Sequence, residues 1–183
     1  MPRRLHRQVH GHRHRRHRHQ RGARVARSGG RPASLIVADV NALVYAFRVG
    51  TKFHELARES LTTFRGRGEL VVLTEVASSF IRIVTDSRIT AEPDTPQAAM
   101  AFVDSLTVDG RFMREPRVSR WQEFQQLSNS VDVRGSLVPD ALLAATCLDW
   151  DAVFLTADRD FLRFPGIRVH LLTSIGIIDH TVV

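Results

Sequence analysis

The sequence predicts an α/β fold in one domain, a three-layer sandwich with a central, mostly parallel sheet flanked by helices. Short runs that are apolar throughout alternate with longer segments of helical periodicity. Strands that are buried on both faces of a parallel sheet have this wholly apolar composition. A chain of 183 residues is long enough for one well-packed core and short for two.

Four apolar runs are predicted as strands. They read LIVA, LVVL, AVFLT and RVHLL, and they cover residues 35–38, 70–73, 152–156 and 168–172. A further strand is expected at an edge of the sheet near FMRE, at residues 112–115. The last residues, TSIGIIDHTVV, are apolar enough to pack against the domain, but their pattern assigns them to no element.

Helices are predicted between these strands from the three- and four-residue spacing of apolar side chains. Boundary residues support them: Gly66 and Gly68 close one helix, Thr74 is placed to cap the next, and Pro139 lies where a helix start accepts proline. The predicted helical segments are NALVYAF, HELARESLTTF, EVASSFIRIV, QAAMAFVDSL, SRWQEFQQLSNSV and DALLAATCLDW.

Residues 1–34 differ in composition from the rest of the chain. They hold 11 arginines, no acidic residue and six of the nine histidines, so residues 35–183 carry 15 basic and 19 acidic side chains, a net charge of −4. Such a segment buries no core and is expected to be a disordered tail. Three interpretations stay open for it: a nucleic-acid-binding arm, a metal-binding histidine tract, or a start codon assigned too far upstream.

Cysteine content and hydropathy predict a cytoplasmic protein. The single cysteine, Cys147, excludes an intrachain disulfide, and its apolar surroundings favour a buried, inert thiol. No window approaches the roughly 20 apolar residues that a membrane helix needs. The first residues also lack the apolar stretch of a secretion signal.

Acidic residues follow the predicted strands at the points where parallel strands end. Asp39 comes directly after LIVA, while Glu75 and Asp158 each follow the end of their strand by one residue. Asp160 lies two residues further on, and Asp140 opens the helix that leads into the third apolar strand. Ligands of open α/β sheets bind beyond the carboxyl ends of the strands, so these side chains are expected at one end of the sheet.

Each acid also has a local explanation, as a helix cap or as a first-turn residue that the helix dipole favours. Taken together, however, neighbouring carboxylates raise one another's pKa, and no lysine accompanies them to offset the charge. A cation is therefore expected. Oxygen ligands suit Mg²⁺ or Mn²⁺, which activate water and stabilise charge on phosphoryl oxygens, whereas residues 35–183 offer no cysteine–histidine cluster for zinc.

Other phosphate-handling classes lack their signatures here. The sequence contains neither G-x-x-x-x-G-K-[ST] nor G-x-G-x-x-G, which excludes the usual nucleotide-binding loops. Haloacid-dehalogenase-type phosphatases and response-regulator receivers also place aspartates at strand ends, but both need a lysine at the site. The one lysine, Lys52, precedes a helix instead of following a late strand.

Four motifs together resemble a PIN-domain ribonuclease and, more closely, the VapC toxins of type II toxin–antitoxin pairs. The motifs are DVNALVYA at 39–46, TE at 74–75 with FIRIVT at 80–85, VPDALLAA at 138–145, and LTADRDF-x-RFPG at 155–166. The resemblance covers residues 35–172 and implies a PIN-like sandwich. It has no counterpart for the tail.

The resemblance assigns four acids that are both catalytic and metal-binding, and a fifth metal ligand: Asp39, Glu75, Asp140, Asp158 and, as the fifth, Asp160. Asn41 stands where many members have serine or threonine, and it is expected to hydrogen-bond a metal-bound water or the scissile phosphate. Arg82 lies two helical turns after Glu75 on the same face, and it is open between an RNA phosphate contact and a surface ion pair.

The expected function is a Mg²⁺-dependent endoribonuclease, with Mn²⁺ as an alternative cofactor, that acts as the toxin of a toxin–antitoxin pair. The resemblance implies an RNA substrate, a cognate VapB-like antitoxin, a homodimer and no membrane partner. The alternative is a non-catalytic PIN-like module that binds RNA or antitoxin and merely retains the acids. Residues 35–183 are expected to form the PIN domain, preceded by the tail of residues 1–34.

Overall fold

The computed structural model describes residues 34–107 and 117–183, and in this part of the chain the central sheet has five strands. They are β1 (Ile36–Ala38), β2 (Leu70–Val71), β3 (Val153–Thr156), β4 (Arg168–Thr173) and β5 (Gly176–Thr181). Their order across the sheet is β2-β1-β3-β4-β5, and every pairing is parallel except that of β4 with β5. The predicted α/β fold with a mostly parallel sheet is confirmed.

Six α-helices flank the sheet in the described residues, and a short 3-10 helix follows β3. They are α1 (Val40–Phe47), α2 (His54–Gly66), α3 (Thr74–Thr85), α4 (Pro96–Thr107), α5 (Ser119–Ser130), α6 (Leu137–Trp150) and the 3-10 helix (Arg159–Arg163). The six predicted helical segments are confirmed. The predicted cap of α3 is wrong, because Thr74 is already helical and Leu73 precedes it without a side-chain hydrogen bond.

The C-terminal segment that the sequence left unassigned forms β5, an antiparallel edge strand on β4. Its side chains are half-buried or exposed along its length, so it lacks the continuous apolar run that revealed the other strands. Gly176 opens β5 with φ +121°, a backbone conformation that residues with a side chain rarely adopt. The strand predicted near FMRE lies outside the described residues, as do residues 1–33 of the predicted tail.

The strand order creates a crevice at the carboxyl end of β1. This strand pairs in parallel with β2 on one side and with β3 on the other. The chain therefore moves in one direction across the sheet from β1 to β2, and in the opposite direction, past β1, from β2 to β3. Ligands of open α/β sheets bind at such a reversal of strand order. The backbone N–H of Asp39 donates to the Leu155 carbonyl over 2.9 Å, which holds the end of β1 against β3 at this crevice.

The core lies between the sheet and its helices and is built from apolar side chains of both. Its largest fully buried members include Phe80 from α3, Phe154 from β3 and Phe161 from the 3-10 helix. Phe154 and Phe161 have ring centroids 4.3 Å apart, which ties the segment after β3 to the sheet. Cys147 is buried as predicted, and burial raises the pKa of its thiol. Within the described residues, no helix combines the length and apolar character needed to cross a membrane.

Candidate active site

Asp39 occupies the centre of the candidate site, between the end of β1 and the start of α1. Its side chain is 3% exposed, and its Oδ1 accepts a hydrogen bond from the Val40 backbone N–H over 2.6 Å. Asp39 is therefore the N-cap of α1, as its local explanation requires. The cap uses only one of the two carboxylate oxygens, so the same side chain has a second oxygen for other contacts.

That second oxygen is held by side chains from two elements. Asp39 Oδ2 accepts from the Thr156 hydroxyl and from the Asn41 side-chain amide, each over 2.6 Å. The carbonyl oxygen of the Asn41 side chain accepts from the Ala157 backbone N–H over 2.9 Å. Asn41 thus bridges the first turn of α1 to the end of β3, and its amide orients the Asp39 carboxylate.

A cavity of about 190 Å³ opens beside Asp39 and brings together three of the predicted acids. Asp39 comes from the end of β1, Glu75 from the first turn of α3, and Asp140 from the first turn of α6. The walls are mostly apolar, which lowers the local dielectric and strengthens interactions between charges. The full lining is Asp39, Val40, Glu75, Val76, Ser79, Pro139, Asp140, Leu142 and Leu143.

Burial and nearby carboxylates raise the pKa of two acids of this cavity. Burial raises the pKa of Asp39 to about 6, and the nearby charges of Asp140 and Asp158 add to the rise, against the hydrogen bonds from Thr156 and Val40. Burial also raises the pKa of Asp140, again with Asp158 as a contributor. The negative charge of Asp158 therefore acts on both Asp39 and Asp140, and the charge of Asp140 acts on Asp39.

The two acids after β3 differ in their placement. Asp158 precedes the 3-10 helix, and its Oδ1 accepts from the Asp160 backbone N–H over 2.8 Å, so it is a cap as well as a neighbour of the cluster. Asp160 is 61% exposed and forms an ion pair with Arg163 at 2.9 Å. Its charge still contributes to the raised pKa of Asp140. Asp160 therefore lies towards solvent, next to the acids of the cavity.

Glu75 has a partner that the sequence did not suggest. Its Oε1 lies 2.8 Å from Arg120 Nη1, and the Arg120 side chain, at the start of α5, is only 12% exposed. No other side-chain partner of Arg120 occurs among the described residues. Arg82, the predicted basic residue, is exposed on α3, where it helps to lower the pKa of Asp86. It is absent from the described lining of the cavity.

Thr156 and Arg120 are the site residues that sequence reasoning missed. Thr156 offers a weak signal, because a hydroxyl ends an otherwise apolar strand two residues before an acid. Arg120 offers none, since its contact with Glu75 joins helices 45 residues apart and nothing near either residue marks it.

The donor chemistry of the cavity fits a hard divalent cation, because carboxylate oxygens are the ligands that Mg²⁺ and Mn²⁺ prefer. Asp39 and Asp140 lack an arginine or lysine bonded to them among the described residues, and burial, with nearby carboxylates, raises the pKa of both. In this same part of the chain, no three acidic, histidine or cysteine side chains lie close enough together to hold an ion as they stand. A cation held by three of these carboxylates would therefore require at least one of them to rotate, whereas Mg²⁺ commonly uses one or two carboxylates together with water.

The fold and this site define a known class of protein. A family model described as PIN domain matches residues 36–167, which is well over half of the chain. The chain therefore belongs to the PIN-domain family.

Relatives within this family carry ribonuclease names. The VapC ribonuclease Mb2897 of Mycobacterium bovis and ribonuclease VapC43 of Mycobacterium tuberculosis are each 39% identical over 136 residues, which is 73% of this chain and 92% of theirs. Ribonuclease VapC48 of Mycobacterium tuberculosis is 31% identical over 134 residues, with 72% and 92% covered.

Solved structures share the fold at low sequence identity. VapBC2 from Rickettsia felis, bound to a DNA fragment from its promoter, has a TM-score of 0.58 at 13% identity over 76% of this chain and 99% of that one. DNA-bound VapBC from Salmonella typhimurium has a TM-score of 0.55 at 17% identity, with 74% and 96% covered. At these identities the likeness establishes the PIN fold.

Proposed function

We propose that this chain is a divalent-metal-dependent ribonuclease that hydrolyses RNA phosphodiester bonds as the toxin of a toxin–antitoxin pair. One observation carries the proposal: carboxylates from distant parts of a PIN domain meet at one cavity, where burial and nearby carboxylates raise the pKa of Asp39 and Asp140. The ribonuclease names of relatives up to 39% identical supply the reaction.

The metal would be held by carboxylates of four elements, with Mg²⁺ as the expected ion and Mn²⁺ as an alternative. The proposed ligands and catalytic acids are Asp39, Glu75, Asp140 and Asp158, with Asp160 as a further ligand. When bound, the ion would supply activation of water and stabilisation of charge on the phosphoryl oxygens. No serine, cysteine or histidine nucleophile is then required.

The other polar residues would hold the acids in position for this chemistry. Asn41 and Thr156 donate to the same oxygen of Asp39, which fixes the rotamer of a side chain that the N-cap bond also restrains. Donation to an anionic oxygen favours its charged form, so both residues oppose protonation of Asp39. Asn41 is therefore proposed to be a positioning residue, which affects the reaction by orienting the Asp39 carboxylate. Arg82 remains a proposed phosphate contact outside the cavity.

The test is cleavage of total RNA by the purified protein with Mg²⁺, with Mn²⁺, and with EDTA. Cleavage that requires the divalent ion and disappears in Asp140→Asn supports the proposal. Asp94→Asn is the matched control, because Asp94 is paired with Arg48 away from the cavity and its loss should leave cleavage unchanged. Equal cleavage by wild type and Asp140→Asn would contradict the proposed site.

The partners follow from the same assignment. The solved neighbours are VapBC assemblies, so a VapB-like antitoxin is the proposed partner of this chain. A homodimer is proposed separately as the state of the free toxin. Residues 35–183 are proposed to form the PIN domain, with residues 1–34 as a separate tail. Co-expression with the product of a small adjacent gene, followed by light scattering of the complex and of the toxin alone, tests both associations.

A non-catalytic binding module is the second candidate, and one observation favours it. Glu75 is paired with Arg120, and no three potential ligands converge among the described residues. If that arrangement persists in solution, Glu75 is not free to act as a ligand and binding of Mg²⁺ should be weak or absent. A calorimetric titration with Mg²⁺ decides between the two, since RNA binding without metal binding would support the module.

A further inference from the structure

The helix α3 places a serine on the wall of the carboxylate cavity. Ser79 lies four residues after Glu75, which puts the two side chains on one face of the helix, about 6 Å apart along its axis. Both residues line the cavity, and Ser79 is half-buried. Ser79 therefore borders the same space as the acids Asp39 and Asp140.

The Ser79 hydroxyl has no bonding partner in the described part of the fold. Hydroxyls of serine and threonine within helices often bond to a carbonyl of the preceding turn. Thr85 does so with the Ile81 carbonyl over 2.7 Å, and Thr146 with the Leu142 carbonyl over 3.0 Å. Among the described residues, Ser79 makes no such bond, and no other side chain bonds to it. Its hydroxyl is therefore available to a molecule that enters the cavity.

The side chains of the cavity offer many acceptors and few donors. Ionised carboxylates only accept hydrogen bonds, and apart from the acids and Ser79 the described lining is apolar. The donors of Asn41 and Thr156 already bond to Asp39. The non-bridging oxygens of a phosphodiester are also acceptors only, so a bound phosphate needs a donor besides any cation. Among the described lining residues, Ser79 has the side chain that can supply it.

We propose that the Ser79 hydroxyl binds the RNA substrate by donating a hydrogen bond to a non-bridging oxygen of the phosphodiester that is cleaved. The inference rests on the proposed ribonuclease function and adds to it a direct contact between the protein and the reacting phosphate. The bond holds this phosphate one helical turn from Glu75, beside the proposed metal ligands. Hydrogen bonds between a hydroxyl and an anionic oxygen are short and strong, so one such bond suffices to orient the group.

The first measurement is cleavage of a short oligoribonucleotide that carries a site mapped in total RNA, with the full chain and Mg²⁺. Ser79→Ala should lower kcat/KM roughly 10- to 100-fold, the loss typical of a hydrogen bond to a charged group. Its urea midpoint should be unchanged or higher, since alanine favours the helix. Ser79→Thr keeps the hydroxyl and should retain most of the activity. Ser78→Ala is the matched control, because Ser78 is the exposed neighbour on α3 and is absent from the described lining.

Sulfur substitution in the same oligoribonucleotide identifies the atom that Ser79 contacts. Each non-bridging oxygen of the cleaved bond is replaced in turn by sulfur, which accepts hydrogen bonds more weakly. For one of the two diastereomers, sulfur should slow the wild type roughly 2- to 10-fold more than it slows Ser79→Ala, because the variant has no hydrogen bond to lose. Any effect of sulfur on the metal is common to both proteins and cancels in this comparison.

Binding is measured separately, because it does not require cleavage. Anisotropy of a fluorescein-labelled oligouridine in Mg²⁺ buffer compares Asp140→Asn with the double variant that also carries Ser79→Ala, and the double variant should bind roughly 2- to 10-fold more weakly. Absence of cleavage by the wild type would refute the ribonuclease, whereas this binding loss would still support the contact with RNA.

Three results would overturn the role of Ser79: a wild-type cleavage rate in Ser79→Ala, equal binding by the two proteins of the anisotropy assay, or equal sulfur effects in wild type and Ser79→Ala for both diastereomers. The last result, together with a loss of cleavage in Ser79→Ala, would assign the hydroxyl to a neighbouring carboxylate such as Glu75 instead of the substrate.

Discussion

The two ends of α3 carry acidic residues in opposite situations. At its first turn, Glu75 lines a cavity in which burial and neighbouring carboxylates raise the pKa of Asp39 and Asp140. At its far end, Asp86 accepts two side-chain hydrogen bonds from Arg88, which lower its pKa. Further along the same loop, Asp94 pairs with Arg48 at 2.8 Å.

The difference separates acids that stabilise the fold through ion pairs from acids whose burial and mutual repulsion destabilise it. In the loop after α3, each of these aspartates has an arginine, and the pKa of Asp86 is lowered by its partner. In the cavity, the charged forms repel one another and are partly removed from water, which destabilises the metal-free protein. A cluster of acids with raised pKa values, placed where the strand order of the sheet reverses, is typical of a functional site.

The largest expected effect is on cleavage and concerns Asp140. Asp140→Asn removes a proposed ligand from the cavity, and we expect a loss of metal-dependent RNA cleavage of about 100-fold or more. The fold should be unchanged or more stable, because repulsion within the cluster is relieved. Initial cleavage rates in Mg²⁺ and urea unfolding in EDTA measure the two effects.

Asp94→Asn serves as the control for this prediction, because it removes an acid of the same type from the loop. Its cleavage rate should equal that of the wild type. The contrast between the cavity and the loop after α3 would be contradicted if both variants lost cleavage equally, or if Asp140→Asn were the less stable of the two.

A second effect is the pH dependence of stability, which should differ in sign between the two regions. Asp39 has a pKa raised from 3.8 to about 6 in the fold, so its contribution is favourable at low pH and is lost as the pH rises through about 6. A difference of this size corresponds to at most about 3 kcal/mol. Asp86 has a lowered pKa, so its contribution is present at neutral pH and lost on acidification.

Urea unfolding in EDTA, compared between wild type and Asp39→Asn across the range from about pH 4 to about pH 8, measures the Asp39 contribution. The stability of the wild type relative to the variant should fall as the pH rises. The variant also weakens the hydrogen bonds to Thr156 and Asn41, but that loss does not depend on pH in this range. A constant difference between the two proteins would contradict the raised pKa.

The sequence predicted where the acids of the cavity lie, but it did not predict which side chains they bond to. Strand ends and helix starts are local features, so Asp39, Glu75 and Asp140 could be placed at one end of the sheet from apolar runs alone. Two of the bonds that orient them join residues more than 40 positions apart, namely Arg120 to Glu75 and Thr156 to Asp39. No local pattern encodes such contacts, because they arise from how α5 and β3 pack.

The same limit applies to the fold. The strands β1, β3 and β4 were recognisable because parallel strands buried on both faces are apolar throughout. The strand β5 was not assigned, because an antiparallel edge strand that is partly exposed has a mixed composition. Its pairing with β4 depends on the turn at Gly176, which a single glycine does not specify.

A smaller effect is expected for the ion pair of the loop. Asp94→Asn should lower the free energy of unfolding by about 1 kcal/mol or less, because both partners are partly exposed and solvent screens such pairs. Arg48 also donates to the carbonyls of Val84 and Glu92, which keeps the loop attached in the variant. Thermal unfolding at low and high salt checks this. A loss of several kcal/mol in the free energy of unfolding would contradict it and would mean that the fold depends on this ion pair.

The smallest effect is expected from removal of the tail. Deletion of residues 1–33 should leave the unfolding temperature and the Mg²⁺-dependent cleavage rate unchanged, because the PIN-domain match begins at residue 36. Non-specific RNA binding should weaken in a salt-dependent way if the 11 arginines contact phosphates. Unfolding of the truncated protein would contradict the proposed division of the chain.

The central claim is that acids from different elements form one metal site, and the most direct test is a double-mutant cycle on Asp39 and Asp158. These residues follow β1 and β3, and the charge of Asp158 already contributes to the raised pKa of Asp39. Cleavage rate is measured against Mg²⁺ concentration for wild type, Asp39→Asn, Asp158→Asn and the double variant. If the two share a metal, each single variant is nearly inactive and the losses do not add. If Asp158 is only a cap of the 3-10 helix, asparagine replaces it at little cost and Asp158→Asn keeps the wild-type Mg²⁺ dependence, which would contradict the shared site.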